Sequence, residues 1–78
     1  AYYDLKKYDL AIADYNKAIA LDQNYAHPYY SLGLIAETTG DIQTAIKNYE
    51  KAAALYQQQG DDIWYQNAMS NLKRLKGY

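Results

Sequence analysis

Residues Ala11–Leu21 and Ala45–Leu55 are two versions of one segment, set 34 residues apart. Written one above the other, AIADYNKAIAL and AIKNYEKAAAL align Ala11 with Ala45, Ile12 with Ile46 and Tyr15 with Tyr49. Lys17, Ala18, Ala20 and Leu21 recur in the same way as Lys51, Ala52, Ala54 and Leu55. A fixed offset of about 34 residues is the length of a helix–turn–helix repeat. It constrains the fold more than any other feature, because a generic helical bundle gives no reason for the same residues to recur in register. Units of this kind bury their apolar faces by stacking on neighbours. The recurrence therefore predicts a scaffold that presents a surface and argues against a chain closed around a catalytic cavity.

The bulk properties agree. Seventy-eight residues make one small domain with little interior to spare. A net charge of −1, with both signs spread along the chain, leaves no electrostatic footprint for nucleic acid or an anionic membrane, so neither is expected as a partner. The absence of cysteine removes disulfides and thiolate metal sites and leaves the redox compartment open. No apolar run reaches membrane-spanning length, and the opening AYYDLKKYDL lacks the tripartite pattern of a signal peptide. Eleven of the twelve aromatic residues are tyrosine and none is phenylalanine. Tyrosine buries a large ring while keeping its hydroxyl in water or in a hydrogen bond, which suits a thin fold whose core is never far from solvent.

Four helices are predicted and no strands, since nothing alternates with period two. Tyr8–Leu21 carries Tyr8, Ala11, Ile12, Tyr15, Ala18, Ile19 and Leu21 near one helical face, and Asp22-Gln23-Asn24 supplies turn chemistry. A second helix begins near Ala26, with Pro28 in its first turn, where a missing N–H costs nothing. Its stripe is Tyr29, Leu32, Gly33, Ala36 and Gly40. Gly33 in mid-helix points to a close neighbour. Gly40 suits a left-handed closing position and Asp41 the next N-cap. The third helix, Ile42 to about Gln59, faces Ala45, Ile46, Tyr49, Ala52, Ala53 and Leu55 inward. Gly60 breaks it, Asp61 or Asp62 caps the last helix, and Trp64, Ala68, Leu72 and Leu75 form the final stripe. Lys73, Arg74 and Lys76 complement its C-terminal dipole.

These positions resemble the tetratricopeptide repeat family. Tyr29, Leu32, Gly33 and Ala36 fit the first helix of its pattern, and Gly40-Asp41, Ala45, Tyr49 and Ala52 fit its turn and second helix. Residues 26–59 thus form a complete repeat. Ala11, Tyr15 and Ala18 match the second helix of a preceding one, so 1–25 reads as a partial repeat with a stub at about Ala1–Leu5 and with Lys6-Lys7 in place of the usual Gly-Asp turn. Gln23 and Gln57 stand where the family often has proline. Trp64 resembles the early aromatic of a third repeat, but Asn67-Ala68 replaces Leu-Gly and one extra residue is needed in the alignment, so 60–78 reads as a capping helix. The resemblance implies an all-α fold: antiparallel helix–turn–helix repeats stacked as a short right-handed α-solenoid with a C-terminal cap. Because about three repeats are usually needed for stability and a five-residue stub cannot hold itself, the chain is expected to be the C-terminal end of a longer array. In isolation it is expected to cover its truncated N-terminal edge by self-association or helix exchange.

In this family the first helices line a concave groove that receives a peptide. The corresponding face here is His27, Tyr30, Leu34, Glu37 and Thr38, extended by Tyr3 and Asp4 on one side and by Tyr65 and Met69 on the other. Tyr30 and Leu34 either pack on flanking helices or line that groove. The version of the groove that clamps a chaperone's C-terminal carboxylate uses lysine and asparagine. His27, Tyr30, Ser31 and Leu34 at the matching positions supply neither, which argues against a clamp. His27 has no nucleophile partner that would make a catalytic set, and Asp61-Asp62 reads as a helix cap before a metal site. Lys47, Lys51, Glu50 and Asp14 read as a solvated convex face. No phosphate loop, metal spacing or nucleophile–base pair is present, so no enzyme activity and no cofactor are expected. The reading is a protein-interaction scaffold with a protein or peptide partner and a cytoplasmic location. Its alternative is an architectural end cap or self-associating segment, with the partner site upstream.

Overall fold

The computed structural model describes residues 5–77, with side chains from Lys7 onward. Tyr3 and Asp4, proposed to extend the groove, lie outside these residues, as does most of the Ala1–Leu5 stub. Four helices follow one another: α1 (Leu5–Leu21), α2 (Ala26–Thr38), α3 (Ile42–Gln59) and α4 (Asp62–Lys76). They pack in series as antiparallel neighbours, densely at α2–α3 and α3–α4 and more sparsely at α1–α2. The slab measures 34 × 33 × 19 Å, and its short dimension is about that of two helix diameters. The all-α, two-layer arrangement of stacked helix pairs is that expected from the sequence.

Local chemistry sets the helix ends. Gly40 (φ 89°) and Gly60 (φ 75°) take the left-handed conformation that closes α2 and α3. Around each, the same two bonds return to the helix: Gly40 N and Asp41 N donate to Glu37 O and Ala36 O, and Gly60 N and Asp61 N donate to Gln57 O and Tyr56 O. Asp41 then accepts from Thr44 N at 3.3 Å and Asp61 from Trp64 N at 3.4 Å, capping α3 and α4. The α1–α2 turn has no glycine. There Asn24 N donates to the Asp22 carboxylate at 3.0 Å. One expectation is corrected: Lys6-Lys7 is not a turn, because α1 starts at Leu5 and runs through both lysines. Neither residue breaks a helix, and lysine is a good helix former.

The core consists mainly of α3 packed between its neighbours. Ala45, Tyr49 and Ala52 are fully buried, and Leu55 and Tyr56 nearly so. Gly33 is where α2 comes closest: a Cβ there would lie 2.8 Å from the Tyr49 ring. No buried side-chain nitrogen or oxygen among the described residues lacks a hydrogen-bond partner. No described helix is long and apolar enough to cross a membrane.

Candidate functional site

On α2 the residues His27, Tyr30, Leu34 and Glu37 follow at steps of three, four and three and share one face. The structure sets α4 alongside that face, running in the same direction. At the first turn His27 Nδ1 lies 2.7 Å from the Tyr56 hydroxyl, and its ring is edge-on to Trp64, with centroids 5.0 Å apart. One turn on, the Tyr30 ring meets Tyr49 and Trp64 edge-on at 5.4 and 5.5 Å, and its hydroxyl accepts from Asn71 Nδ2 at 2.8 Å. At the far end Glu37 forms a two-pronged ion pair with Arg74, which also donates to Asn71 Oδ1 at 2.8 Å. Glu37 in addition accepts from the Tyr49 hydroxyl at 3.0 Å. A polar chain thus joins α2, α3 and α4 through Tyr30, Asn71, Arg74, Glu37 and Tyr49.

The electrostatics follow from these contacts. The hydrogen bonds from Arg74 hold the Glu37 carboxyl below its ordinary value, against the opposing effect of burial. The Tyr49 hydroxyl is pushed up, first by burial and then by its bond to the Glu37 carboxylate. The Tyr56 hydroxyl is pushed up to about 12, mainly by burial, with the charge of Asp61 adding to it.

Three of the sequence-derived site residues, His27, Tyr30 and Glu37, are therefore brought together in the seam between α2 and α4. Leu34 stays 43% exposed above that seam. Thr38 is exposed, and its hydroxyl donates to the Leu34 carbonyl at 2.8 Å. Tyr65 and Met69 are partly buried against the core. They lie on the flank of α4 shared with Lys76, which pairs with Glu50 of α3 at 3.0 Å. Trp64, Asn71 and Arg74 are the α4 residues that face α2. Each residue advances a helix by about 100°, so the extra residue needed to align α4 with the repeat pattern decides which flank meets α2. Sequence reasoning did not single out Tyr56, Asn71 or Arg74 for this face. Asn71 and Arg74, spaced by three and lying seven and ten residues after Trp64, carried a usable signal of one shared flank. Tyr56 carried none, since its mate 34 residues earlier is Asp22.

Two other features complete the surface. A cavity of about 310 Å³ opens between α1, α2 and α3, with Ile12, Leu32 and Ile35 among the apolar side chains and Asn16, Thr44 and Asn48 among the polar ones. Among the described residues, no group of three or more histidines and carboxylates is placed to hold a metal ion.

Stacked helix pairs, Gly-Asp turns and a tyrosine ring seated on a mid-helix glycine define a helix–turn–helix repeat protein. The chain belongs to the tetratricopeptide repeat family: residues 1–40 match the pattern described as TPR repeat, and residues 26–61 the pattern described as tetratricopeptide repeat. Such domains are generally protein–protein interaction modules and typically non-catalytic. The chain is similar to RNA polymerase II-associated protein 3 of Xenopus tropicalis, 44% identical over 55 residues that make up 70% of this chain and 8% of that protein. It therefore spans a small part of that relative's length. No solved structure matches the chain significantly.

Proposed function

We propose that the chain is a non-enzymatic interaction module that receives a peptide or partner segment along the outward face of α2, with residues 60–78 closing the stack. The observation that carries this reading is Leu34. It is an aliphatic side chain, 43% exposed, on the family's groove face, and the core does not need it. His27, Tyr30 and Glu37 support the reading as a rigid wall, since each is held by α3 or α4. Thr38 continues the open surface. Tyr65 and Met69 would contribute from the α4 flank only to a partner large enough to reach around the helix. The test is Leu34→Ala in a peptide-array experiment on the folded chain. Loss of bound peptides with unchanged helicity is the expected result, and an unchanged binding pattern would remove the groove assignment.

A second reading is favoured by α1, where Leu10 is 66% and Leu21 82% exposed. Exposed leucines along one helix suit an architectural role in which that edge pairs with another copy. Sedimentation equilibrium decides the matter. This reading expects a dimer that Leu21→Lys dissociates, whereas a monomer at high concentration rules it out.

A further inference from the structure

The exposed aromatic rings gather at one end of the slab, and a charge imbalance gathers there too. That end is built from the α1–α2 turn, the last turn of α3 and the α3–α4 turn. The Gln59 side chain ties it together by donating to the Asn24 carbonyl. Neither 18–46 nor 52–72 contains a lysine or arginine. Asp22, Asp61 and Asp62 therefore share this end with no such cation on its turns. The α4 cations Lys73, Arg74 and Lys76 sit at the opposite end of their helix. The closest along the chain to the α1–α2 turn is Lys17, a full helical turn back on α1.

Beside these acids stand rings that the core only partly covers. Tyr25 is 47% and Trp64 36% exposed, and the neighbouring Ile63 is 75% exposed. Trp64 stacks on Tyr56 with an interplanar angle of 24° and is met edge-on by His27, which is in turn met edge-on by Tyr25. Tyr56 is fixed by its bond to His27 and is almost fully buried, so the wall behind Trp64 is rigid. Asp61 spends one carboxylate oxygen on the backbone N–H of Trp64 and keeps the rest of its accepting capacity. Partly exposed rings on the same turns as three carboxylates, with no lysine or arginine in 18–46 or 52–72, complement a guanidinium or ammonium group. An anionic segment would be repelled there, and a purely apolar one would desolvate the acids without pairing them.

We propose that this end docks a basic segment of a protein partner, with an arginine or lysine side chain set against the exposed parts of the Tyr25 and Trp64 rings, Asp61 and Asp62 pairing its charge, and an apolar neighbour in the segment covering Ile63. The proposal rests on the reading that the module binds a protein segment, and it names the chemistry of the part of that segment nearest the α3–α4 turn. It is the reverse of a carboxylate clamp in sign.

Trp64 is the only tryptophan, so its fluorescence reports on the site directly. The probes are the end-blocked pentapeptide Gly-Arg-Leu-Arg-Gly and the same peptide with glutamine or glutamate in place of both arginines. The arginine peptide is expected to change Trp64 emission saturably, to bind about tenfold or more tightly than the glutamine peptide, and to weaken with added salt. Asp61→Asn with Asp62→Asn keeps a capping side chain and is expected to weaken the arginine peptide about tenfold at unchanged helicity. Equal binding of the arginine and glutamine peptides, no saturable binding, or indifference to the double asparagine variant would each overturn the proposal. Leu34→Ala separates the two readings. Arginine-peptide binding that ignores Leu34, together with array ligands unchanged in Leu34→Ala, removes the groove and leaves this site. Glutamine-peptide binding that needs Leu34 and leaves Trp64 emission unchanged does the opposite.

Discussion

The two copies of the repeated segment have nearly the same residues and very different surroundings. In α3, Tyr49 is fully buried and Leu55 is 4% exposed. Their counterparts in α1 are Tyr15, partly buried, and Leu21, 82% exposed. Ala45 and Ala52 are closed off completely, whereas Ala11 and Ala18 keep part of their surface. The difference lies in the neighbours. α3 has α2 on one side and α4 on the other, while α1 makes its main described contact with α2. The apolar stripe written in the sequence is thus a capacity for burial, and stacking determines how much of it is used.

Paired truncations measure that difference. Tyr49→Ala removes a fully buried ring and is expected to cost about 3–5 kcal/mol, comparable with the whole stability of a core this small. The variant should be largely unfolded by circular dichroism. Tyr15→Ala, at the equivalent position, should cost about 1 kcal/mol, since the ring is already part-solvated. Leu55→Ala is expected to lose about 2–5 kcal/mol and Leu21→Ala less than about 0.5 kcal/mol, measured by urea denaturation. Equal losses within either pair would show that α1 is as enclosed in solution as α3 and would break the comparison.

A smaller effect sharpens the reason for the enclosure. Alanine is favoured over glycine inside a helix by about 1 kcal/mol, so Gly33→Ala would stabilise an isolated α2. Here the new methyl would sit 2.8 Å from the Tyr49 ring, and that ring is fully buried and cannot swing away. Overpacking of this kind costs about 1–3 kcal/mol, so the variant should be destabilised by about 1 kcal/mol in urea. In a Tyr49→Leu background the ring is gone, and the same alanine should become neutral or stabilising. A sign that does not change between the two backgrounds would mean that the glycine is not there to admit the ring.

The parts legible in the sequence are those fixed by local chemistry or by recurrence. Gly40-Asp41, and Gly60 followed by Asp61-Asp62, mark their turns because a left-handed closing residue and an N-cap need only their immediate neighbours, although which of the two aspartates caps α4 stays open in the sequence. Gly33 was legible as a close approach because a mid-helix glycine has little other use. Lys6-Lys7 stands where the family alignment places a turn, although the residues themselves favour helix and α1 runs through them. The α2–α4 seam was the least visible. Glu37 meets Arg74 and Tyr30 meets Asn71 across sequence separations of 37 and 41 residues. Which flank of α4 turns toward α2 depends on a helix rotation that a one-residue ambiguity leaves undetermined. The candidate face on α2 could therefore be named from sequence, while its use as a wall packed on α4 needed coordinates.

That seam carries the smallest of the expected effects, and the one with a definite pH signature. Glu37 titrates below its ordinary value of 4.5 because Arg74 hydrogen-bonds the charged form. In the unfolded chain it returns to the ordinary value, so the unfolded state binds more protons between the two pKa values. The stabilisation is fully present above about pH 5, begins to fade as pH falls past 4.5, and is lost as pH drops through the lower folded value. Glu37→Gln retains a hydrogen-bond acceptor for Tyr49 but removes the charge. Its Tm should lie slightly below that of the parent at pH 7, and the gap should close on acidification into the range below the ordinary carboxylate value. Arg74 is largely solvated, so salt should narrow the gap at pH 7 as well. The outer Glu50–Lys76 pair, which ties α3 to α4, is the control. Its half-exposed carboxylate has one lysine partner and no tyrosine, so Glu50→Gln should shift Tm less than Glu37→Gln at every pH. A larger shift from Glu50 would move the principal electrostatic tie of α4 from α2 to α3 and make the seam secondary to the outer ion pair.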